Sequence, residues 1–275
     1  MNFVVCNNKI IDENELKLTS TNRAFLYGDG FFESFKIFNS KIFNYHNHFN
    51  RIKLSANYLD INLNFSAEKL LQIISSLILK NDITNGSIRI TIFRNSKGKY
   101  YPTENDSSYV ITSKKDSNNI FKKSEEDFTI GLYVENLKPQ SKISNLKSIN
   151  SLLYVMAAKY ASENNYNDVF LMNTNNKIIE TTNSNIFILK KGIVFTPPLL
   201  DGCVDGSMRN LLMHIIKQHY QISIKSINED DINKCEELIL SNAISGVRRV
   251  TNFNKVVFKE RKFYEFLISS LNKLI

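Results

Sequence analysis

The segment GFFESFKIFNSKIFNYH, residues 30–46, constrains the fold more than any other part of the chain. Its apolar and polar residues alternate on both sides of a polar turn at Asn39 and Ser40. A repeat of two residues is typical of a β-strand that buries one face, and two such runs joined by a short turn predict an antiparallel hairpin. The apolar face of such a sheet must be covered by a second layer of structure.

The neighbouring segments supply further strands and those helices. VVCNNKII predicts a strand, a turn and a second strand, and SIRITIFRN and SYVITS predict two more strands. Helical spacing predicts one helix with a core face of Phe49, Ile52, Ala56 and Leu59. A second helix is capped by Ser66, and its predicted core face consists of Leu70, Leu71, Ile74, Leu77 and Ile78. The first part of the chain is therefore an α+β unit.

A polar, charged stretch without periodicity, KKDSNNIFKKSEED, follows these strands. It predicts a linker at residues 117–127 between an N-terminal α+β domain at 1–116 and a C-terminal domain at 128–275. From Lys147 onward, helical spacing is followed by Ile149, Leu152, Leu153, Met156, Ala157 and Tyr160. Short strands DVFLMN, KIIE, NIFILK and GIVFTP come next, then a helix after Gly206, two strand regions and a C-terminal helix in FYEFLISSLNKLI.

The chain has 275 residues and a formal net charge of +8. An excess of Lys and Arg is compatible with a protein that binds nucleic acid. The lysines are spread along the chain without a dense basic block, however, so a bias of composition is the better interpretation. No apolar run could span a bilayer and we find no signal peptide, which predicts a soluble, cytoplasmic protein. The scattered cysteines, Cys6, Cys203 and Cys235, agree with a reducing compartment and predict no metal site.

Four segments carry residues suited to catalysis or ligand binding. RAFLYGDGFFES, residues 23–34, holds a Gly-Asp-Gly turn, and HNHFNR places His48 and Arg51 on one helix face, where an arginine can clamp a phosphate. Lys147 precedes an apolar helix, where burial would favour the nucleophilic free amine. Glu180 ends a strand, where a buried carboxylate would need a cationic partner, and the helix after Gly206 offers free N–H groups. Taken singly, each feature is more often an ordinary surface or turn residue.

Taken in order, the four segments resemble the fold-type IV pyridoxal-phosphate enzymes. This class IV aminotransferase family includes branched-chain aminotransferases, D-amino-acid aminotransferases and aminodeoxychorismate lyase. The resemblance rests on RxxxYGDGxFE, HxxR, KSxN, ExxxSNIF, TPPLxxGxxxGxxR and SNA, and it covers nearly the whole chain. It implies an α+β, two-domain fold like that of D-amino-acid aminotransferase, with a small N-terminal α/β sandwich and a larger, β-barrel-like C-terminal domain with helices. It also implies pyridoxal 5'-phosphate as the cofactor, a small-molecule substrate and a homodimer, without a metal, nucleic acid or membrane partner.

The resemblance assigns a role to each matching position. Lys147 matches the lysine that holds the cofactor as a Schiff base and moves protons. Arg51 matches the phosphate-binding arginine, and Glu180 matches the glutamate that pairs with the pyridinium nitrogen. The remaining matches lie in the C-terminal domain: the backbone N–H groups of Ser207 and Met208 for the phosphate, Ala243 in the last loop near it, and Asn185 behind the glutamate.

Three short patterns bear on the member of the family that the chain resembles. SIN follows Lys147 in place of a Gly-containing step to Asn-Tyr, GSMR replaces Gly-Ile/Val-Thr-Arg, and SNA replaces a Thr-containing pair. All three disfavour a branched-chain aminotransferase, and the last two favour aminodeoxychorismate lyase. That enzyme converts 4-amino-4-deoxychorismate to 4-aminobenzoate and pyruvate in folate biosynthesis, and Lys147 would transfer the proton. A D-amino-acid or branched-chain aminotransferase stays an alternative, as does a basic binding protein that kept the fold without activity.

The lyase substrate carries two carboxylates, so basic residues should line its site. Arg94 and Lys99, in FRNSKGKYYP, are the predicted carboxylate-binding residues, although a solvated hairpin explains both equally well. Tyr27 and Phe32 are predicted to shape the wall of the site. Asn95 replaces a typical glycine and Lys99 a typical arginine, and either departure could reflect another substrate.

Overall fold

The computed structural model describes residues 2–275, in which seven α-helices and three β-sheets form two compact units. The first unit contains residues up to Ile120 together with Lys147–Asn150, and the second contains Phe121–Leu146 and Ser151–Ile275. Helices that accompany mainly antiparallel sheets confirm the α+β class that the sequence predicts. None of the helices in residues 2–275 is long and apolar enough to cross a membrane.

The first unit is built on a six-stranded sheet. Its strands are Phe3–Cys6 (β1), Lys9–Asp12 (β2), Gly30–Phe38 (β3), Lys41–Ile42 (β4), Gly86–Arg94 (β5) and Ser107–Lys115 (β6). They pair in the order β2-β1-β6-β5-β3-β4, each antiparallel to its neighbours. Asn39 and Ser40 join β3 to β4 with φ of 50° and 59°, the left-handed values of a tight hairpin turn, which confirms the predicted hairpin.

Three helices belong to this unit: Arg23–Tyr27 (α1), Tyr45–Tyr58 (α2) and Ala67–Lys80 (α3). The Ser66 hydroxyl accepts the N–H of Lys69 at 3.2 Å and caps α3 as predicted. One predicted core residue of α3 is wrong, because Leu71 is 39% exposed and Ile73 is buried in its place. The core face follows the spacing i, i+3, i+4, i+7 from Leu70, which includes position 73 and leaves position 71 towards solvent. This face and the sheet share one apolar cluster.

The second unit contains two five-stranded sheets. Its strands are Thr129–Lys138 (β7), Asp168–Asn173 (β8), Ile178–Thr181 (β9), Asn185–Lys190 (β10), Ile193–Thr196 (β11), Gln221–Ile224 (β12), Glu237–Asn242 (β13), Gly246–Arg249 (β14), Asn252–Phe253 (β15) and Val256–Val257 (β16). The sheet orders are β12-β11-β10-β13-β14 and β16-β15-β7-β8-β9. β7 runs parallel to both of its neighbours and β12 runs parallel to β11. One apolar cluster contains side chains of both sheets, among them Ile130, Phe170, Ile186 and Leu238.

Four helices complete the second unit: Leu152–Glu163 (α4), Ser207–Ile216 (α5), Glu229–Asn233 (α6) and Lys262–Asn272 (α7). The predicted helix after Gly206 and the predicted C-terminal helix are confirmed as α5 and α7. The helix predicted from Lys147 onward begins only at Leu152, because residues 147–150 are extended and pair with β3. Of the residues that follow the helical spacing, Ala157 is buried and Leu153 and Tyr160 pack against the same apolar cluster, whereas Leu152 and Met156 are exposed. Ala157 and Ala161, with Leu153 and Tyr160 beside them, form the face of α4 that packs on β7 and β8.

The two units divide the chain differently from the predicted domains at two places. Lys147–Asn150 belong to the first unit, although the predicted C-terminal domain at 128–275 contains them. Within the predicted linker at 117–127, the boundary falls between Ile120 and Phe121. Phe121 is buried, and its N–H donates to Asn272 Oδ1 at 2.9 Å, so this end of the predicted linker is an ordered part of the second unit.

Candidate functional site

The residues that the family resemblance assigns to the cofactor are divided between the two units. Arg51 and Lys147 belong to the first unit, and the other assigned residues belong to the second. The first unit contains two groups of contacts, one of Phe32, Arg89 and Lys147 and the other of Glu33, His48 and Arg51. The second-unit cluster consists of Lys138, Tyr154, Glu180, Asn185, Val204 and Ser207.

Lys147 lies in an extended segment that pairs with β3. Its carbonyl accepts the N–H of Phe32 at 2.9 Å, and the N–H of Ile149 donates to the Gly30 carbonyl at 3.2 Å. The Lys147 side chain extends over Phe32, with Nζ 4.1 Å from the centroid of the ring. Pairing with the sheet therefore fixes the backbone of the lysine, while the flexible four-carbon stem lets the amine move.

The Gly-Asp-Gly turn anchors the far end of this segment. Gly28 ends α1 with a φ of +63°, in the left-handed region that favours glycine. A Cβ at this position would lie 2.5 Å from Asn150 Oδ1. Asn150 Nδ2 donates in turn to the Gly28 carbonyl at 2.9 Å. The glycine is thus required both by its φ and by the close approach of the residue three places after Lys147.

Arg89 is a second cation at Phe32, and it is absent from the residues that the sequence singled out. Its Cζ lies 3.5 Å from the ring centroid, and within residues 2–275 the side chain makes no hydrogen bond or ion pair. Burial lowers the pKa of Arg89 from its ordinary value, yet a guanidinium stays protonated in proteins. Arg89 pairs with Ser34 of β3, two residues from Phe32. The register between β3 and β5 cannot be read from alternation, so the sequence carries no signal for this contact.

Arg51 is held by the buried carboxylate of Glu33. Its Nε donates to Glu33 Oε2 at 2.7 Å and its Nη2 donates to Oε1 at 2.5 Å, while His48 Nδ1 lies 3.0 Å from Oε1. Burial by itself would raise the pKa of Glu33, but the charges of Arg51 and His48 outweigh burial and hold that pKa well below its ordinary value. The two-pronged ion pair fixes the plane of the guanidinium.

Arg94, which the sequence predicts to bind a substrate carboxylate, is instead engaged by acceptors of the protein itself. It is 7% exposed, and its guanidinium donates to Asp29 Oδ2, to Asn105 Oδ1 and to the carbonyls of Leu59 and Asp60. The end of β5 directs this side chain inward, where four acceptors engage it. We therefore leave Arg94 out of the proposed substrate-binding residues.

The other predicted substrate residues of this unit are Tyr27 at the end of α1, Phe32 in β3 and Lys99 in the loop between β5 and β6. The Tyr27 ring packs against Tyr100, with 5.5 Å between the centroids. Lys99 is exposed, and its carbonyl accepts Arg23 Nη1 at 2.6 Å, which ties its loop to α1. Phe32 is partly buried beneath Arg89 and Lys147. The substrate roles of Tyr27, Phe32 and Lys99 stay predictions.

Glu180 is a buried carboxylate with three donors. Its Oε1 accepts Lys138 Nζ at 2.5 Å and the Tyr154 hydroxyl at 2.9 Å, and its Oε2 accepts the Val204 N–H at 2.7 Å. Lys138 also donates to the Ser144 carbonyl at 2.8 Å. Burial, and then the charge of Glu180, raises the pKa of Tyr154, so the phenol remains a donor. Lys138 thus supplies the counter-charge that a buried carboxylate requires, and Oε2 keeps a lone pair for one more donor.

A chain of contacts connects Glu180 to the start of α5. The carbonyl of Val204 accepts Asn185 Nδ2 at 2.8 Å, and Asn185 Oδ1 occupies the space that a Cβ on Gly206 would need. No side chain caps α5, and within residues 2–275 the buried Ser207 hydroxyl has no partner. The first-turn N–H groups of a helix have no acceptor within it. These N–H groups and the hydroxyl are the donors that a phosphate binds at a helix start.

Ala243 follows β13 in a tight turn. Asn242 Oδ1 accepts the N–H groups of Ile244 and Ser245 at 3.0 and 2.8 Å, which closes the turn around Ala243. Met208, in the first turn of α5, is buried, so its contribution to a ligand would come from its backbone. The phosphate-binding roles of Met208 and Ala243 stay predictions.

Lys138 and Tyr154 are contacts of Glu180 that the sequence did not single out. Lys138 is one of two lysines in the polar stretch ENLKPQSK, and its burial follows from tertiary pairing of β7 with β8. Tyr154 lies on α4 among apolar residues that give it no distinct signal. The requirement that a buried Glu180 have a cationic partner predicted that such a residue exists, but not which lysine or arginine it is.

Comparison with known proteins finds relatives along most of the chain. The family model described as Amino-transferase class IV matches residues 30–253. A D-alanine aminotransferase from Staphylococcus aureus (strain N315) is 26% identical over 255 residues, which cover 91% of this chain and 88% of the relative.

Two solved structures show the same fold. A structure named for 4-amino-4-deoxychorismate lyase, from Legionella pneumophila, has a TM-score of 0.87 and 25% identity, covering 96% of this chain and 97% of its own. A branched-chain aminotransferase from the archaeon Thermoproteus uzoniensis, solved with norvaline, has a TM-score of 0.90 and 20% identity, covering 99% of this chain and 94% of its own. These similarities confirm the fold-type IV architecture that the sequence predicts.

Proposed function

The chain belongs to the class IV aminotransferase family, and on that premise we propose that it is an enzyme that carries pyridoxal 5'-phosphate on Lys147. The observation that supports this most strongly is the extended segment of residues 147–150. Its pairing with β3 fixes the lysine beside the Phe32 ring and the Arg89 guanidinium. A lysine in a solvated loop would have neither neighbour.

Each unit by itself contains groups that suit this cofactor. In the second unit, the first-turn N–H groups of α5 and the Ser207 hydroxyl are donors that suit a phosphate dianion. In the first unit, Arg51 is a cation of the kind that binds phosphate. A protonated ring nitrogen needs a carboxylate acceptor, and Glu180 offers the remaining lone pair of Oε2. When bound, pyridoxal phosphate supplies an electron sink for negative charge at the carbon that bears the substrate amine.

Proton transfer at Lys147 Nζ is the central task of the protein's own residues. The amine removes a proton from the carbon that bears the substrate's amino group and returns a proton to the product. Lys138 keeps Glu180 paired, and Tyr154 remains a donor beside it. Arg89 adds a fixed positive charge near Lys147, which favours an anionic substrate and orients it for the transfer.

We infer further that the substrate is 4-amino-4-deoxychorismate. Lys147 takes the proton from the amine-bearing carbon, the carbon–oxygen bond to the enolpyruvyl group breaks, and a proton added to that fragment gives pyruvate. The ring becomes aromatic as 4-aminobenzoate, a product of folate biosynthesis. The patterns at SIN, GSMR and SNA support this reading, as does the similarity to the structure named for that lyase. The two substrate carboxylates suit Arg89 and the exposed Lys99.

D-alanine aminotransferase is the second candidate. The Staphylococcus aureus protein of that name is 26% identical over 91% of this chain, so the similarity extends well beyond the shared motifs. The same Lys147 would then remove the proton from the amine-bearing carbon of D-alanine. D-alanine would leave as pyruvate and 2-oxoglutarate would become glutamate, with the amino group exchanged for the keto oxygen.

Two parallel incubations of the purified enzyme distinguish these activities. With 4-amino-4-deoxychorismate we expect 4-aminobenzoate and pyruvate in equal amounts. With D-alanine and 2-oxoglutarate we expect little glutamate, and glutamate formed faster than 4-aminobenzoate would contradict the lyase proposal. Lys147→Ala should abolish either activity. A protein that stays colourless with added pyridoxal phosphate would contradict both and support a binding protein without activity.

We propose that the enzyme is a cytoplasmic homodimer. Leu152, Val155 and Met156 lie on one face of α4 and are 74%, 59% and 40% exposed, which leaves an apolar stripe for a second copy to cover. Light scattering after gel filtration should give twice the chain mass for the native protein and the chain mass for Val155→Asp. A monomeric native protein would contradict the proposal.

A further inference from the structure

A cavity in the second unit, lined by none of the residues assigned to the cofactor, contains two charged side chains that form no ion pair within residues 2–275. The cavity measures ≈ 230 Å³, and its wall includes Asp168, Asn183, Ser184, Asn242, Ser245 and Arg248. Pockets for drug-sized molecules measure about 300–1,000 Å³, so this cavity suits a smaller ligand.

Asp168 presents one satisfied and one unsatisfied carboxylate oxygen. It is 4% exposed, and its Oδ1 accepts the N–H of Val169 at 2.8 Å, and the N–H and hydroxyl of Thr182 at 3.2 and 2.7 Å. In the described part of the chain, Oδ2 accepts no hydrogen bond and no cation lies at ion-pair distance. A carboxylate this buried is stabilised by a cationic partner, which the chain itself does not supply.

Arg248 presents the opposite charge to the same cavity. Its Cζ lies 4.9 Å from the centroid of the Phe128 ring, which holds the guanidinium at the wall. Across residues 2–275 its side chain makes no hydrogen bond or ion pair. The planar guanidinium has five N–H donors in a geometry that matches a carboxylate. Asp168 and Arg248 therefore line one cavity without neutralising each other.

The wall between these charges is held by its own hydrogen bonds. Asn183 Oδ1 accepts the Ser184 hydroxyl at 2.7 Å and Asn242 Nδ2 at 3.2 Å, and Asn242 Nδ2 also lies 3.0 Å from Ser184 Oγ. Asn242 Oδ1 is engaged by two N–H groups of its own turn. A cross-linked wall of this kind is preorganised, which lowers the entropy cost of binding a ligand.

We propose that this cavity binds a small zwitterion, a free α-amino acid with a short side chain, with its ammonium at Asp168 and its carboxylate at Arg248. Asp168 would repel a simple anion, and Arg248 would repel a simple cation. A ligand that carries both charges can pair with both groups. A metal ion fits less well, because residues 2–275 contain no group of three or more side chains arranged to hold one. Binding at this cavity does not depend on the chemistry at Lys147.

Equilibrium dialysis with radiolabelled glycine, the smallest such zwitterion, tests this site. Borohydride reduction of the purified protein beforehand makes any attachment of cofactor to Lys147 permanent and prevents covalent capture of glycine there. We expect about one glycine per chain. Acetate and methylamine each carry one of the two charges, and each should compete at least about tenfold less well, because each leaves one charged group unpaired.

Two variants and a matched control locate the binding. Arg248→Gln and Asp168→Asn should each weaken glycine binding by about tenfold or more. Arg249→Gln removes the same charge from the next residue, whose Nη1 donates to the Phe258 carbonyl, and should bind glycine as the native protein does. If the variant at the buried position, Asp168→Asn, does not fold, glycine binding by the variant at the partly exposed position, Arg248→Gln, tests the proposal without it. No glycine on the native protein, equal binding by Arg248→Gln, or acetate that binds as tightly as glycine would overturn the proposal.

Discussion

Lys138 Nζ lies 2.5 Å from Glu180 Oε1, and the two side chains are 6% and 4% exposed. Two charges this deeply buried stabilise each other only as a pair, because the loss of one leaves the other without solvent or a counter-charge. Lys138 is therefore a positioning residue for Glu180. It holds the carboxylate in place before any ligand arrives, together with Tyr154 and the Val204 N–H.

Replacement of the buried Lys138 should lower the free energy of unfolding far more than replacement of an exposed lysine. Lys138→Met keeps the length of the side chain and removes its charge, so we expect a loss of about 3–5 kcal/mol in the free energy of unfolding. The control is Lys159→Met, which breaks an exposed pair with Glu163 and should cost about 0.5 kcal/mol or less. Urea titration measures both. Equal losses in the two variants would show that Lys138 does not stabilise Glu180.

The ion pair of Glu33 with Arg51 should make the free energy of unfolding depend on pH in the acidic range. The pKa of Glu33 lies below its ordinary value of 4.5, so the native state holds this carboxylate ionised at a pH where the unfolded chain protonates it. The stabilisation is complete above about pH 4.5 and is lost progressively as the pH falls below that value. Glu33→Gln should therefore lose less stability than the native protein between about pH 5 and 3.

Thermal unfolding at a series of pH values measures this difference. The control is Glu126→Gln at an exposed position, which should follow the native pH dependence. Parallel curves for the native protein and Glu33→Gln would contradict the assigned role of the pair.

Arg89 should contribute to the binding of an anionic substrate. Loss of a charge-assisted hydrogen bond to a carboxylate weakens binding by about tenfold to a hundredfold, so Arg89→Met should raise KM by that factor. Lys80→Met is the matched control, because Lys80 Nζ lies 4.5 Å from the Phe3 ring and also places a cation over a phenyl group. Steady-state kinetics with the preferred substrate measure the effect. An unchanged KM in Arg89→Met would remove Arg89 from the substrate site.

The three cysteines should differ in their reactivity towards alkylating reagents. Burial, and then the charge of Glu180, raises the pKa of Cys203 to about 12, and burial raises the pKa of Cys235 to about 12. At about pH 8 only about one thiol in ten thousand would be ionised at such a pKa. Cys6 is partly exposed and should react first.

Mass spectrometry after brief treatment with iodoacetamide checks this order. All three cysteines should react in denaturant, which serves as the control. Modification of Cys203 in the folded protein at the rate of Cys6 would contradict the burial seen in the structure.

Local patterns in the sequence predicted the elements that have a clear period or cap. The hairpin around Asn39 and Ser40, the Ser66 cap and the helix after Gly206 each depend on residues within a few positions of one another, and all were confirmed. The start of α4 was wrong, because helical spacing continues through residues 147–150 while strand pairing with distant β3 determines their conformation. Spacing did predict part of the packed face of α4, because Leu153, Ala157 and Tyr160 lie on it, but it also included Leu152 and Met156, which are exposed.

In the candidate site, too, the sequence identified some residues and could not identify others. The ordered motifs identified Lys147, Arg51 and Glu180, because a family resemblance carries roles that no single residue reveals. The contacts that orient these residues come from tertiary structure: Glu33 for Arg51, and Lys138 for Glu180. Arg94 was predicted to bind a substrate carboxylate, but Asp29 and the carbonyls of Leu59 and Asp60, which lie 34 to 65 residues away in the sequence, engage its guanidinium. Arg89 was overlooked because its position over Phe32 depends on strand register.

The claim on which the account depends most is that Lys147 carries the cofactor. Reduction of the purified enzyme with borohydride, followed by proteolysis and mass spectrometry, identifies the lysine that is bonded to pyridoxal phosphate. The account predicts a single pyridoxyl group on Lys147, and none on that peptide in Lys147→Ala. A pyridoxyl group on any other lysine, or no modified lysine in a protein that has been supplied with the cofactor, would contradict it.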